Sequence, residues 1–178
     1  MEIEEENTIY LTDVDLFHNE EYYNYYNIDK IIYPTANGSH VMYLENNLDS
    51  TIKINKIHLK ETTTCISTGC INMGYIIKYT KPNQDNWNYI YGDERNYNIL
   101  NLDPNVVKTV NGSYENTISI ETNEITLNPG ESTIISLLWE WVDIDDTLDT
   151  EIGKIATEEY SILVSLDYTT TNSYCNIN

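Results

Sequence analysis

Thr133-Ile134-Ile135-Ser136-Leu137-Leu138-Trp139-Glu140-Trp141-Val142 is the stretch on which the reading of the chain turns. Taken two at a time, it puts Thr133, Ile135, Leu137, Trp139 and Trp141 on one side and Ile134, Ser136, Leu138, Glu140 and Val142 on the other. A period of two belongs to a β-strand, and a run this heavily apolar on one face must pack that face against something. Just upstream, Asn128-Pro129-Gly130-Glu131 predicts a type II turn, with Pro fixing φ at the second position and Gly supplying positive φ at the third. Downstream, Tyr160, Ile162, Val164, Leu166 and Tyr168 alternate with Ser161, Leu163, Ser165 and Asp167, which predicts a second long half-buried strand.

The same period extends outward from these two strands. In 51–60 the apolar residues are Ile52 and Ile54, then Ile57 and Leu59; the phase slips by one residue around Asn55 and Lys56, as a β-bulge would make it do. Further strands are expected at 40–45, 74–80 and 87–91, the last two joined by a hairpin loop over 81–86. Asn111-Gly112 is a two-residue turn signal between strands at 106–110 and 114–120, and a short strand at 124–127 leads into the Pro-Gly turn. Turn signals recur every eight to fifteen residues, and no long amphipathic helix competes with them. The expected fold is all-β, a jelly-roll-like or immunoglobulin-like antiparallel β-sandwich with short helical insertions at 17–26, at 94–100 or near 152–158. At 178 residues and 20.7 kDa the chain has the size of one domain; an extended segment, 1–16, precedes a single sandwich, 17–178.

Charge narrows the partners. Nine Lys and Arg against 29 Asp and Glu give a net charge of −20, and the pI is near 4.1, so phosphate backbones and anionic membranes would be repelled. No nucleic-acid binding is expected, and no apolar run reaches the roughly 18 residues of a membrane span. Sixteen Tyr and three Trp against one Phe suit half-buried β surfaces and contact surfaces. Met1 is followed by the acidic run 2–6 in place of a basic and then apolar segment, which fits either a cytosolic protein or the mature part of an exported one.

The chain carries few chemical motifs. His18, His40 and His58 are isolated, with no His-Glu-x-x-His helix, no Gly-x-Ser-x-Gly elbow and no glycine-rich phosphate loop, so no cofactor and no enzymatic activity are expected. Cys65 and Cys70 flank Ile-Ser-Thr-Gly, a loop able to turn back and close a small disulfide, with a metal site as the competing reading; Cys175 is the odd thiol, in a polar tail. Between the two long strands, Asp143, Asp145, Asp146 and Asp149 offer alternating carboxylates on an acidic loop that would suit calcium, but the glycine and terminal Glu of an EF-hand loop are missing. A solvated charge run is the plainer reading. Carboxylate pairs for glycoside hydrolysis, here or at Asp93-Glu94, are expected by chance in so acidic a chain. Trp87, Tyr89 and Tyr91 alternate with Asn88 and Ile90 and could display a carbohydrate-binding platform, while Asn37-Gly38-Ser39 and Asn111-Gly112-Ser113 mark surface turns.

Several short motifs occur in a recognisable order: Asp13-Val14-Asp15-Leu16-Phe17; Ile31-Ile32-Tyr33-Pro34 through Ser39, then Glu45-Asn46-Asn47; Leu127-Asn128-Pro129-Gly130-Glu131; Leu138-Trp139-Glu140-Trp141; Asp149-Thr150-Glu151-Ile152-Gly153; and Tyr160-Ser161-Ile162-Leu163-Val164. In this order, spanning almost the whole chain, they resemble the TasA/camelysin family of secreted Gram-positive proteins, which includes biofilm matrix fibre subunits. The resemblance implies a jelly roll, an extracellular location at the cell surface or in a biofilm matrix, and assembly with copies of itself or related matrix subunits by strand donation from the N-terminal segment. Camelysin-type members also carry a metallopeptidase label, so a secreted metal-dependent peptidase is the alternative, with a glycan-binding adhesion module as a third; no catalytic residue carries over. Thr35-Ala36-Asn37 departs from the Pro-Gly turn the family leads one to expect, and the Cys65 to Cys70 loop is not part of the pattern.

The segment that would donate a strand is β-prone. Thr8, Tyr10, Thr12, Val14 and Leu16 share one face of an extended 7–16, with Ile9 and Leu11 on the other. Such a segment can complete an open sheet edge in a neighbour, or serve as an ordinary first strand of its own subunit. A head-to-tail contact that does not close extends into a filament, and the charge of −20 then limits lateral clumping unless cations, low pH or a partner offset it.

Overall fold

In the computed structural model, which describes residues 4–10, 36–66, 69–99, 112–122, 125–143, 146–153 and 160–171, the Trp-rich stretch is the strand its alternation requires. Ser132–Trp141 is the tenth of eleven strands: β1 Glu4–Tyr10, β2 Asn37–Glu45, β3 Thr51–Ile66, β4 Gly69–Cys70, β5 Met73–Thr80, β6 Asn88–Tyr91, β7 Asn98–Ile99, β8 Gly112–Glu121, β9 Thr126–Leu127, β10 Ser132–Trp141 and β11 Ser161–Thr171. Among the described residues there is one helix, α1 at Asp146–Gly153, before β11.

All pairings are antiparallel, and they make two sheets. In the first, β11 and β8 flank the long β3 on opposite sides, β1 adds to the outer edge of β11, and β4 and β9 pair with the two ends of β3. In the second, β10 lies between β2 and β5, with β6 and β7 on the far side of β5. The long strands β2, β3, β5, β8, β10 and β11 pass alternately from one sheet to the other, so neither sheet could form alone. The expected all-β sandwich is the fold found.

The core lies between the facing sheets, and the alternation supplies it. Ile135, Leu137, Trp139 and Trp141 from β10 sit beside Tyr79, Ile77, Tyr75 and Met73 of β5. Opposite them come Ile52, Ile54, Ile57 and Leu59 from β3 and Ile162, Val164 and Leu166 from β11. Burying each of these aliphatic side chains contributes roughly 1.5–3 kcal/mol. The phase slip in β3 is a bulge: Asp167 pairs with Lys56 and Tyr168 with Ile54, leaving Asn55 as the extra residue. It returns both halves of β3 to the same buried face. Asn128-Pro129-Gly130-Glu131 turns as expected, with Glu131 N–H donating to Asn128 O at 2.9 Å and Gly130 at φ 78°.

Two helical expectations change. Of the helical piece expected at 94–100, the described residues 94–99 hold no helix: 94–95 form a bend and Asn98–Ile99 pairs with β5. The helix near 152–158 instead begins at Asp146, within what the sequence suggests is a loop; acidic residues in its first turn complement the positive end of the helix dipole. Residues 17–26 and the strand expected at 106–110 lie outside the described residues.

Candidate functional site

The N-terminal strand is the first candidate. β1 pairs with β11 in the register Glu4 to Thr171, Asn7 to Tyr168 and Tyr10 to Ser165, within its own chain, and is the outermost described strand of its sheet. Thr8, Ile9 and Tyr10 thus lie opposite Asp167, Leu166 and Ser165, whereas Leu11, Thr12, Val14 and Leu16 fall outside the described residues. Among the described strands, β11 is the one neighbour of β1, so its place rests on a single ladder of main-chain hydrogen bonds.

Cys65 and Cys70 pair across the β3–β4 hairpin and are joined by a disulfide, both residues buried. α1 packs on this hairpin: a Cβ added to Gly69 would lie 2.7 Å from a methyl of Leu148, so glycine is what permits the approach. The same helix settles where the acidic residues go. Asp149 is 2 % exposed, and its Oδ1 accepts from Trp141 Nε1 at 2.8 Å, while Oδ2 has no hydrogen-bond partner among the described residues. Asp143 is exposed, and Asp145 lies outside the described residues. Among the described residues no three His, Cys, Asp or Glu side chains converge as metal ligands.

Beside this end of the core sits a carboxyl group that the alternation of 51–60 does not reach. β3 continues to Ile66, and its inward phase carries Glu61 into the interior, 1 % exposed. Tyr75 of β5 and Tyr160, just before β11, each donate a hydroxyl hydrogen bond to Oε2, at 3.1 and 2.6 Å. Burial pushes the Glu61 carboxyl up to about 8, against the pull of the Tyr75 hydrogen bond; the group therefore keeps its proton at neutral pH. The Tyr75 phenol is raised as well, first by burial and then by the Glu61 charge.

On the outer face of the same sheet, three strands bring together Ser119, His58 and Asp167. His58 Nδ1 is 2.7 Å from Ser119 Oγ on β8, and Nε2 is 2.6 Å from Asp167 Oδ2 on β11. The sequence separations of 61 and 109 residues hide this arrangement from motif reading. Only knowledge that β8 and β11 flank β3 could have found it. Lys56 and Lys60, two residues to either side of His58, pair with Glu121 at 3.4 Å and Glu115 at 3.3 Å.

The aromatic row of β6 divides. A register shift between Ile77 and Lys78 sets Tyr89 opposite Lys78 but Tyr91 opposite Ile77. Trp87 and Tyr89 thereby gather around the Lys78 ammonium, at 4.7 and 6.0 Å from their ring centroids, and Tyr91 packs against the core. The expected three-ring display is thus reduced to two rings. His40 lies on β2 opposite Leu137, half-buried.

No protein-family model matches the chain, and no curated protein matches it.

Proposed function

We propose that this chain is a structural subunit of an extracellular fibre or biofilm matrix, and that it polymerises by exchanging its N-terminal strand with copies of itself or with related subunits. The observation that carries the reading is the position of β1, an outermost strand held on one flank by β11 alone among the described strands. Vacating that place would leave the β11 edge with a row of unpaired N–H and C=O groups, which the same strand of a neighbour satisfies in the same register. Between Tyr10 and Asn37 lie 26 residues. At no more than about 3.3–3.6 Å per residue, a connection of that length has the reach to bridge two domains.

Two further observations support the reading. The Cys65–Cys70 disulfide suits an oxidising compartment, as expected outside the cell. The ordered motifs shared with the TasA/camelysin family, among them Leu138-Trp139-Glu140-Trp141, point to the same kind of assembly. Deletion of residues 1–10 is the test: the truncated chain should stay folded by circular dichroism and yield no filaments in electron micrographs, whereas the full chain does. Filaments of equal abundance from the truncated chain would refute strand exchange.

A further inference from the structure

We infer that Ser119 is a nucleophilic hydroxyl, activated by His58 and oriented through Asp167, that accepts acyl groups from unhindered carboxylic esters presented to the outer face of the β3 sheet. The assignment does not rest on strand exchange, although Asp167 lies on β11 opposite Thr8 of the strand that would exchange. An ionised Asp167 can only accept, so at 2.6 Å it fixes the imidazole hydrogen on Nε2. In neutral His58 this leaves Nδ1 as an acceptor, and the hydrogen shared over 2.7 Å with Ser119 comes from Oγ. The serine thus donates toward a base whose other nitrogen is held by an acid, the relationship that nucleophilic hydroxyl catalysis requires.

The supporting strands make the geometry stiff. Ser119, His58 and Asp167 sit on three adjacent strands in the middle of a ladder, not on loops. Ser119 is exposed, so an ester carbonyl can reach Oγ, while the His58 and Asp167 side chains are only 23 % and 16 % exposed. The chemistry balances within these groups. Oγ adds to the carbonyl carbon as its proton passes to Nδ1, and the resulting imidazolium faces the Asp167 carboxylate. Collapse of the tetrahedral adduct breaks the bond to the leaving alkoxide, which takes the proton from Nδ1. Water then repeats the sequence on the acyl-serine, releasing the acid. The two-residue repeat of β3 places Lys56 and Lys60 about 7 Å along the face on either side of His58, each paired with a glutamate of β8. Because the site is an open sheet face, its substrates are esters that need no pocket: small acyl esters and acyl groups on extended chains.

The probes are a fluorophosphonate and p-nitrophenyl acetate, applied to the full chain. With the fluorophosphonate, an Oγ–P bond forms, fluoride leaves and Nδ1 takes the proton; peptide mass spectrometry should find Ser119 labelled about 100-fold faster than the exposed Ser161 of the same molecule. Ser119→Ala and His58→Gln should remove the labelling and the release of p-nitrophenol without changing the circular dichroism melt. Asp167→Asn, which presents a donor to Nε2 and moves the imidazole hydrogen to Nδ1, should slow labelling by about 10–100-fold, with partial recovery in Asp167→Glu. Should Asp167→Asn unfold, the serine and histidine variants decide alone. Labelling of Ser119 no faster than Ser161, or ester turnover that persists in Ser119→Ala because lysines are acylated, would overturn the assignment.

Discussion

The two ends of the sandwich interior are built from different materials. At one end Ile52, Ile54, Leu127 and Ile135 fill the space between the sheets, and the one buried amide there is fully engaged. Asn46, wholly buried, donates through Nδ2 to Ser50 O at 2.8 Å and Leu127 O at 2.9 Å, and its Oδ1 accepts from Leu48 N at 3.0 Å. Its backbone ties the Pro-Gly turn, accepting from Gly130 N–H at 2.8 Å and donating to Glu131 O at 2.9 Å. At the other end β3 buries Glu61 and Thr63, the half-buried Asn116 of β8 turns its Nδ2 inward, and α1 adds Asp149. Thr63 Oγ1, Asn116 Nδ2 and Asp149 Oδ2 have no hydrogen-bond partner among the described residues; Thr122 Oγ1, beside the bulge, is the fourth such atom. One end is clamped by Asn46, and the other holds a proton and three of the four unpartnered atoms. The disulfide braces the end that holds these three.

Three experiments bear on that contrast. The largest effect belongs to Glu61. Its folded-state pKa of about 8 exceeds the ordinary 4.5, so between those values the folded chain binds the proton that the unfolded chain has released. This group's contribution to stability must then fall as pH rises from 4.5 to 8, by about 5 kcal/mol in all, and level off above. Denaturant melts of Glu61→Gln against the parent chain should show the variant gaining by that order across the window, and equal pH slopes would remove the proton from the account. Asn46→Ala comes next: leaving two carbonyls and one N–H unpaired should cost about 3 kcal/mol, read as a lower denaturant midpoint at unchanged slope. A loss no larger than that of an average surface substitution would erase the difference between the ends. Smallest is Thr63→Val, which replaces an unpartnered hydroxyl with a methyl and should be neutral or stabilising by up to about 1 kcal/mol. A clear destabilisation would mean that Thr63 Oγ1 has a partner.

The turn end was the more legible in the sequence, because its determinants are local. The Pro-Gly turn, the phase slip at Asn55 and the alternation of 133–141 each act within a few residues, and each appears where the periodicity puts it. The other end depends on distant partners. Glu61 follows Lys60 and precedes three threonines, and nothing in that polar run says that β3 continues inward to meet Tyr75 and Tyr160. Trp141 and Asp149 meet only because α1 folds back over the hairpin. Tyr91 parts from Tyr89 because Ile90 between them is the extra residue of a bulge in β6 itself, which the alternation of 87–91 does not record. The Ser119, His58 and Asp167 contact is likewise a product of sheet order, which single-strand periodicity does not encode.

A mixed cross-link distinguishes strand exchange from pairing within one subunit. Glu6 stands opposite Thr169 in the β1–β11 register. Two variants, Glu6→Cys and Thr169→Cys, each in a Cys175→Ser background, are mixed under assembly conditions and oxidised. Neither carries both new thiols, so a disulfide between positions 6 and 169 can form only between subunits. Strand exchange predicts a covalent heterodimer on a non-reducing gel, with the 6-to-169 link found by peptide mapping. Filaments in electron micrographs without that link, its yield no higher than between unassembled monomers, would contradict it.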